Sequence, residues 1–183
     1  MPGVALFAQS AVKVQEQLAE VRIDDWFDRI LFHGKWWLLL AMFLFSVFVW
    51  CKTVDKSRLR EITLYVSFII IWTLVLDEIG EELTLWDYPY DLIPLFPPLS
   101  AIDVACLPLI YSLIYQYFKR WKSFFAATVL MSVIFCFIME PLFVWIGIYQ
   151  MFEWRSYYGL PIYILIAVAN KFAVEKICGN SSK

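Results

Sequence analysis

Five apolar stretches, each free of charge or nearly so for about the thickness of a bilayer, divide this 183-residue chain, and carboxylates fall where several of them end. A soluble protein of this length has no interior able to hide five such runs, so the excess must face lipid. Composition agrees. Hydrophobic residues are 62% of the chain and charged ones 17%, against roughly 45–50% and 25% in soluble domains. The runs are continuously apolar and do not alternate, which indicates helices and not a barrel. The expected fold is therefore all-α: a five-helix transmembrane bundle preceded by an amphipathic helix at the interface.

Two domains follow from that reading. Residues 1–35 form the N-terminal amphipathic segment, in which Val14, Leu18, Val21, Trp26, Ile30 and Leu31 recur at near-helical spacing among charges. The stripe suits a membrane surface or a partner helix. The opening MPGVALFAQSAVKV lacks a positive region before Lys13, and its apolar core is shorter than the ~7–15 residues of a signal peptide, so it is expected to remain in the mature protein. Residues 36–183 carry the spans, placed at about 36–51, 62–79, 95–118, 123–148 and 157–174. Several cores are shorter than ~20 residues and rely on flanking aromatic and basic side chains to complete the crossing.

Basic residues set the orientation. Lys52, Lys56, Arg58 and Arg60 lie in the first loop, Lys119, Arg120 and Lys122 in the third, and Lys171, Lys176 and Lys183 toward the end. Five spans place these groups on one face, expected to be cytoplasmic, with the N-terminus outside and the C-terminus inside. Lys13, Arg22, Arg29 and Lys35 in the N-terminal segment run against that order but are diluted and offset by acids. The second loop, WDYPYDLIPLFPP, holds Pro89, Pro94, Pro97 and Pro98 and is too apolar for a solvated loop. It reads as a lid or shallow re-entrant segment on the outer face.

Depth brings the acids together. At ~1.5 Å per residue, Asp77 sits about 22 Å above Ile62, Asp103 about 24 Å above Lys119, and Glu140 about 27 Å above Lys122. In a hydrocarbon core ~30 Å thick these three form one layer toward the outer side. A charge at membrane depth is costly, so such acids turn inward and pair with a cation, take a proton or contact water. Arg155 and Lys35 are the only basic residues near that level. Asp77, Glu78, Asp103 and Glu140 are accordingly the candidate ligand-binding or ion-binding residues. Glu81, Trp86, Tyr88 and Pro141 are candidates for the pocket lining. Glu81, Glu82, Asp87 and Asp91 also fit the simpler role of marking the membrane boundary. Asp77, Glu78 and Glu140 divide evenly between the two roles.

Other chemistries find little support. His33 is the only histidine, which excludes a multi-histidine metal site, and Ser112 and Ser132 lack a histidine base for a triad. Cys51, Cys106, Cys136 and Cys178 share no metal-binding spacing and read as apolar filler. No nucleotide motif occurs. A net charge of −2 without a basic aromatic patch excludes nucleic acid. No cofactor is expected, and neither a metal nor a catalytic residue can be assigned. Pro108, Pro141 and Pro161 are expected to kink their helices. Pro141 follows Glu140 and strips a carbonyl one turn earlier of its donor.

The strings LDEIG at 76–80, LWDYPYDLIP at 85–94, YQYFKRWKSF at 115–124, EPLFVWIGIY at 140–149, PIYILIA at 161–167 and VEKI at 174–177 resemble an uncharacterised family. Its members are small multi-pass membrane proteins of spore-forming Gram-positive bacteria, described as hypothetical proteins. The resemblance covers about Trp36 to Ile177, and Asp77, Gly80, Trp86, Tyr88, Pro94, Asp103, Pro108, Glu140 and Pro141 match its recurrent pattern. It implies a bacterial cytoplasmic-membrane protein and transfers no activity. A fainter similarity is to membrane-embedded carotenoid cyclases. Their Pro-x-Glu-Glu motif is missing here, and Asp103 stands where the paired glutamates would be.

Three functions are compatible with these residues. The first is a non-enzymatic membrane protein whose outward carboxylate pocket binds a cation, a proton or a cationic amphiphile. The second is a structural or assembly subunit of a membrane complex, docked through its N-terminal helix. The third is a lipid- or isoprenoid-modifying enzyme using a buried carboxylic acid. The expected partners are the lipid bilayer, a small cation, proton or lipid, and a homo- or hetero-oligomer.

Overall fold

A computed structural model describes residues 2–94 and 101–180, the side chains of 2–8 and 180 excepted. Counted through their π turns, six helices occupy the described residues: α1 (Pro2–Asp25), α2 (Gly34–Thr53), α3 (Leu59–Glu82), α4 (Ile102–Tyr117), α5 (Trp121–Ile146) and α6 (Gly159–Asn180). Two short strands, β1 (Trp86–Asp87) and β2 (Gln150–Met151), pair antiparallel with Trp86 opposite Met151.

The protein is a multi-pass, largely helical membrane protein, but it is not a five-helix transmembrane bundle. Among the described residues only three helices are long and apolar enough to cross a bilayer: Gly34–Thr53, Lys56–Glu82 and Trp121–Ile146. Helix α4 is shorter than the ~20 residues a crossing requires. Its apolar side chains serve the protein interior, with Tyr111, Tyr115, Ile114 and Leu107 all buried. The predicted start of that span at Leu95 lies outside the described residues. Helix α6 is 22 residues long, yet Asn170, Lys171, Glu175 and Lys176 dilute its inner half. Among the described residues the apolar runs thus lie in helices, of which three have the length and composition of a crossing.

Side-chain interdigitation places α3 at the centre, against α4 and α6, while α5 packs on α6 and α2 on the first turns of α4. Helix α2 buries little beyond Leu39 and Ser46 and leaves Leu44, Phe45 and Phe48 bare, as a lipid-facing helix does. The core of the basic end is a stack of Tyr65 on Tyr115, with ring centres 4.2 Å apart and 13° between planes. Beside it, Arg58 grips Glu61 with two bonds of 2.7 and 3.0 Å, and the Tyr115 hydroxyl donates to the same carboxylate. Lys171 is 2% exposed; its ammonium lies 4.7 Å from the Phe124 ring centre, donates to the Lys119 carbonyl and pairs with Glu175. The first and third loops and the inner end of α6 are therefore held together at one end of the molecule.

At the other end, helix boundaries shape the connections. Helix α5 stops at Gly147, whose φ of +75° only glycine adopts without strain. The amides of Gly147 and Ile148 both return to Phe143, a Schellman stop. The chain then enters β2, and Phe152 and Trp154 donate from their backbones to Leu85. So the α5–α6 connection is stitched to the α3–α4 connection. The same region is anchored from the N-terminal side: Trp26 Nε1 reaches the Asp91 carbonyl at 3.0 Å and Trp36 Nε1 the Leu92 carbonyl at 3.2 Å. Helix α1 leaves Val14, Leu18 and Val21 exposed.

Candidate carboxyl pocket

Two prolines set up the acids. Pro108 and Pro141 cannot donate to the carbonyls of Val104 and Phe137, and in each case the turn just before the proline is wide: Ile102–Cys106 and Phe135–Met139 are π-helical. Asp103 lies inside the first wide turn and Glu140 directly follows the second. Pro161, by contrast, sits in the first turn of α6, where a missing N–H costs nothing, and it does not kink the helix as expected.

Asp77 of α3, Asp103 of α4 and Glu140 of α5 are 8%, 4% and 4% exposed, and all three line one cavity of about 80 Å³. That volume is room for several waters, at ~10–15 Å³ for each. Tyr88 donates to Asp77 Oδ1 at 3.1 Å, and the Asp103 carboxyl lies beside that of Asp77. Thr73 Oγ1 stands 3.2 Å from the Asp103 carbonyl and helps fix the wide turn. On the opposite wall Tyr163 donates to Glu140 Oε1 at 2.8 Å. Ser156 stands beside the same carboxyl, yet Oε2 is buried and accepts no hydrogen bond of ordinary geometry.

Rings make up much of the remaining wall. Trp86, Tyr88, Phe135, Phe143, Tyr149, Trp154 and Tyr163 face the cavity, and among the described residues no Lys, Arg or His does. Phe135 lies 5.6 Å from Tyr163 and 6.3 Å from Phe143, edge to face. Tyr88 and Tyr149 lie 5.2 Å apart. Burial holds the Tyr88 and Tyr149 hydroxyls well above the ordinary phenol range, and the neighbouring Asp77, Asp103 and, for Tyr149, Glu140 push the same way. Both remain proton donors.

Trp86 is shared by two spaces. It closes the cavity on one side, and on the other it borders a wider hollow of about 830 Å³ between α1 and the outer end of α3. Its indole lies on Gly80: a Cβ there would be 2.0 Å from Cζ2. Glu78, Glu81, Glu82 and Asp87 line the outer hollow together with Arg22.

The sequence candidates therefore separate. Asp77, Asp103, Glu140, Trp86 and Tyr88 share the inner cavity, whereas Glu78 and Glu81 belong to the outer hollow. Pro141 is exposed and lines neither; it acts through the π turn. The two expected counter-cations are elsewhere, since Lys35 caps the Gly147 carbonyl over the Tyr90 ring and Arg155 is exposed. His33 is exposed with its ring against the Leu31 carbonyl. Asp91 is half-buried in the α3–α4 connection, where desolvation and the nearby Asp87 raise its carboxyl to about 7 against the pull of Arg22. Sequence reasoning missed Phe135, Phe143, Tyr149, Trp154 and Tyr163. Their only signal was aromatic enrichment, which apolar spans also show. Among the described residues no group of His, Cys, Asp and Glu is arranged to hold a metal ion. No family model, curated protein or solved structure matches the chain.

Proposed function

We propose that this membrane protein binds a cation in the pocket between α3, α4, α5 and α6. The observation that carries the reading is that three carboxyls from separate helices line one cavity in whose wall, among the described residues, no basic side chain stands. An ionised acid in such surroundings is stable only beside a positive charge or a proton. Two neighbouring carboxyls and a third in the same cavity hold net negative charge when ionised, and a cation in the pocket offsets it. The basic end of the molecule faces the cytoplasm in this reading and the pocket lies toward the outer side. A bacterial cytoplasmic membrane is the setting that the family resemblance suggests.

Binding of cations to the purified full-length protein in nonionic detergent tests it, with wild type compared against Asp103→Asn combined with Glu140→Gln. Saturable binding to wild type and its loss in the double variant is the expected result. Equal behaviour of the two proteins would remove the pocket from consideration.

The carboxyl-to-carboxyl contact of Asp77 and Asp103 within apolar walls also suits a second reading, acid catalysis on an unsaturated lipid. A proton held in such a pair is available to a double bond. Unchanged membrane lipid and pigment profiles after deletion and after overexpression would eliminate it.

A further inference from the structure

We infer that the cation taken up by this pocket is an organic ammonium with an apolar body, seated at Glu140 among aromatic rings, and not a metal ion. The inference rests on the cation-binding reading above and narrows its ligand.

The two acidic corners of the cavity differ. Asp77 accepts from Tyr88 and has the Asp103 carboxyl beside it. Glu140, 4% exposed, lines the same cavity, and its buried Oε2 accepts no hydrogen bond of ordinary geometry. A buried carboxylate oxygen left in that state costs free energy unless a donor reaches it. The vacant acceptor marks where a donor belongs.

The walls around that oxygen exclude a small hard cation. Ca²⁺ requires six to eight oxygen ligands and Mg²⁺ near-octahedral geometry with retained waters. The Glu140 corner offers one carboxylate, the hydroxyls of Tyr163 and Ser156 and the rings of Phe135, Phe143 and Tyr149. Rings cannot replace a metal's hydration shell. They do stabilise an ammonium, which is weakly hydrated by comparison once it carries carbon, through the negative face of each π system. One N–H would meet Oε2 while methylene groups lie against Ile162, Ile166 and Leu107, which also line the cavity. Space beside Glu140 depends on Gly159, whose hypothetical Cβ would stand 3.4 Å from Oε1 and 3.0 Å from the Tyr163 ring.

The protein's own chemistry shows this recognition elsewhere. At the basic end the ammonium of Lys171 rests among the rings of Tyr115, Trp121 and Phe124, 5.0, 5.3 and 4.7 Å from their centres, with a carboxylate at 3.1 Å. The carboxyl cavity has the same ingredients, and among the described residues no ammonium lines it.

The test uses full-length protein in nonionic detergent, titrated with n-hexylammonium chloride, tetramethylammonium chloride, NaCl and CaCl₂ at matched ionic strength. Thermal midpoint and equilibrium dialysis are read together. Hexylammonium should raise the midpoint saturably and exceed Na⁺ and Ca²⁺ in affinity by at least about tenfold. Glu140→Gln, which keeps the side-chain shape, should lower that affinity about tenfold or more. Phe143→Leu should lower it several-fold while leaving the elution volume unchanged. Glu140-dependent binding of Na⁺ or Ca²⁺ without ammonium binding overturns this inference and leaves the cation pocket standing. Binding of no cation removes both. Ammonium binding indifferent to Glu140→Gln and to Phe143→Leu overturns the inference alone.

Discussion

Gly80 shows how much rests on the absence of a single methyl group. The Trp86 indole lies directly on its α-carbon, and overpacking a filled site costs ~1–3 kcal/mol. Gly80→Ala should lower the thermal midpoint and push Trp86 off its seat, opening the inner cavity to the outer hollow. A red-shifted, more quenchable tryptophan emission would register that movement; unchanged emission would contradict it. Asp91 offers a second residue-level test. Its folded-state carboxyl is raised to about 7 from 3.8, so the folded state holds a proton that the unfolded chain has released. Below about pH 4 both states are protonated and no penalty exists. The penalty grows as pH rises toward 7 and is complete above it. Asp91→Asn should therefore stabilise the protein at pH 8 and make little difference at pH 4, as thermal melts at the two pH values would reveal.

Among the elements, the π turns of α4 and α5 do the positioning. Each arises where a proline withdraws a donor, and each carries an acid into the cavity. Pro141→Ala restores a donor for the Phe137 carbonyl and allows the wide turn to close. Stability should hold or increase while cation binding weakens, because Glu140 rotates out of register. Lost stability with intact binding would refute that account. Helix α6 is fixed at its inner end by Lys171. Lys171→Met removes the donor to Lys119 and the contacts with three rings, while Glu175, 39% exposed, stays hydrated. A loss of ~1–3 kcal/mol is expected, measurable by denaturant titration in detergent.

For the whole molecule, contacts separate a basic end from an acidic one. Lys171 meets Lys119 and Trp121 meets Glu175 at the former; β1 meets β2 at the latter. With the basic end cytoplasmic, a cysteine placed at the exposed Glu153 should react with a membrane-impermeant thiol reagent in intact cells. One placed at Ser57 should react only after the membrane is opened. The reverse pattern would invert the orientation.

Membrane class and helical content were legible in the residues, because apolar spacing and the cost of buried charge are local properties. The number of lipid-facing spans was not legible. An apolar run looks the same whether its neighbours are lipid tails or other helices, and only packing distinguishes α4 from α2. Glu78 and Glu81 illustrate the same limit, since α3 alone cannot reveal that Trp86 folds back on Gly80 and walls them off from Asp77. The aromatic lining is likewise a tertiary fact. Phe135, Tyr149 and Tyr163 come from three separate places in the chain, and no local rule predicts their meeting. What the chain determines alone is the cost of placing each residue in lipid or water; what the tertiary structure decides is which of those costs are met by the same neighbours.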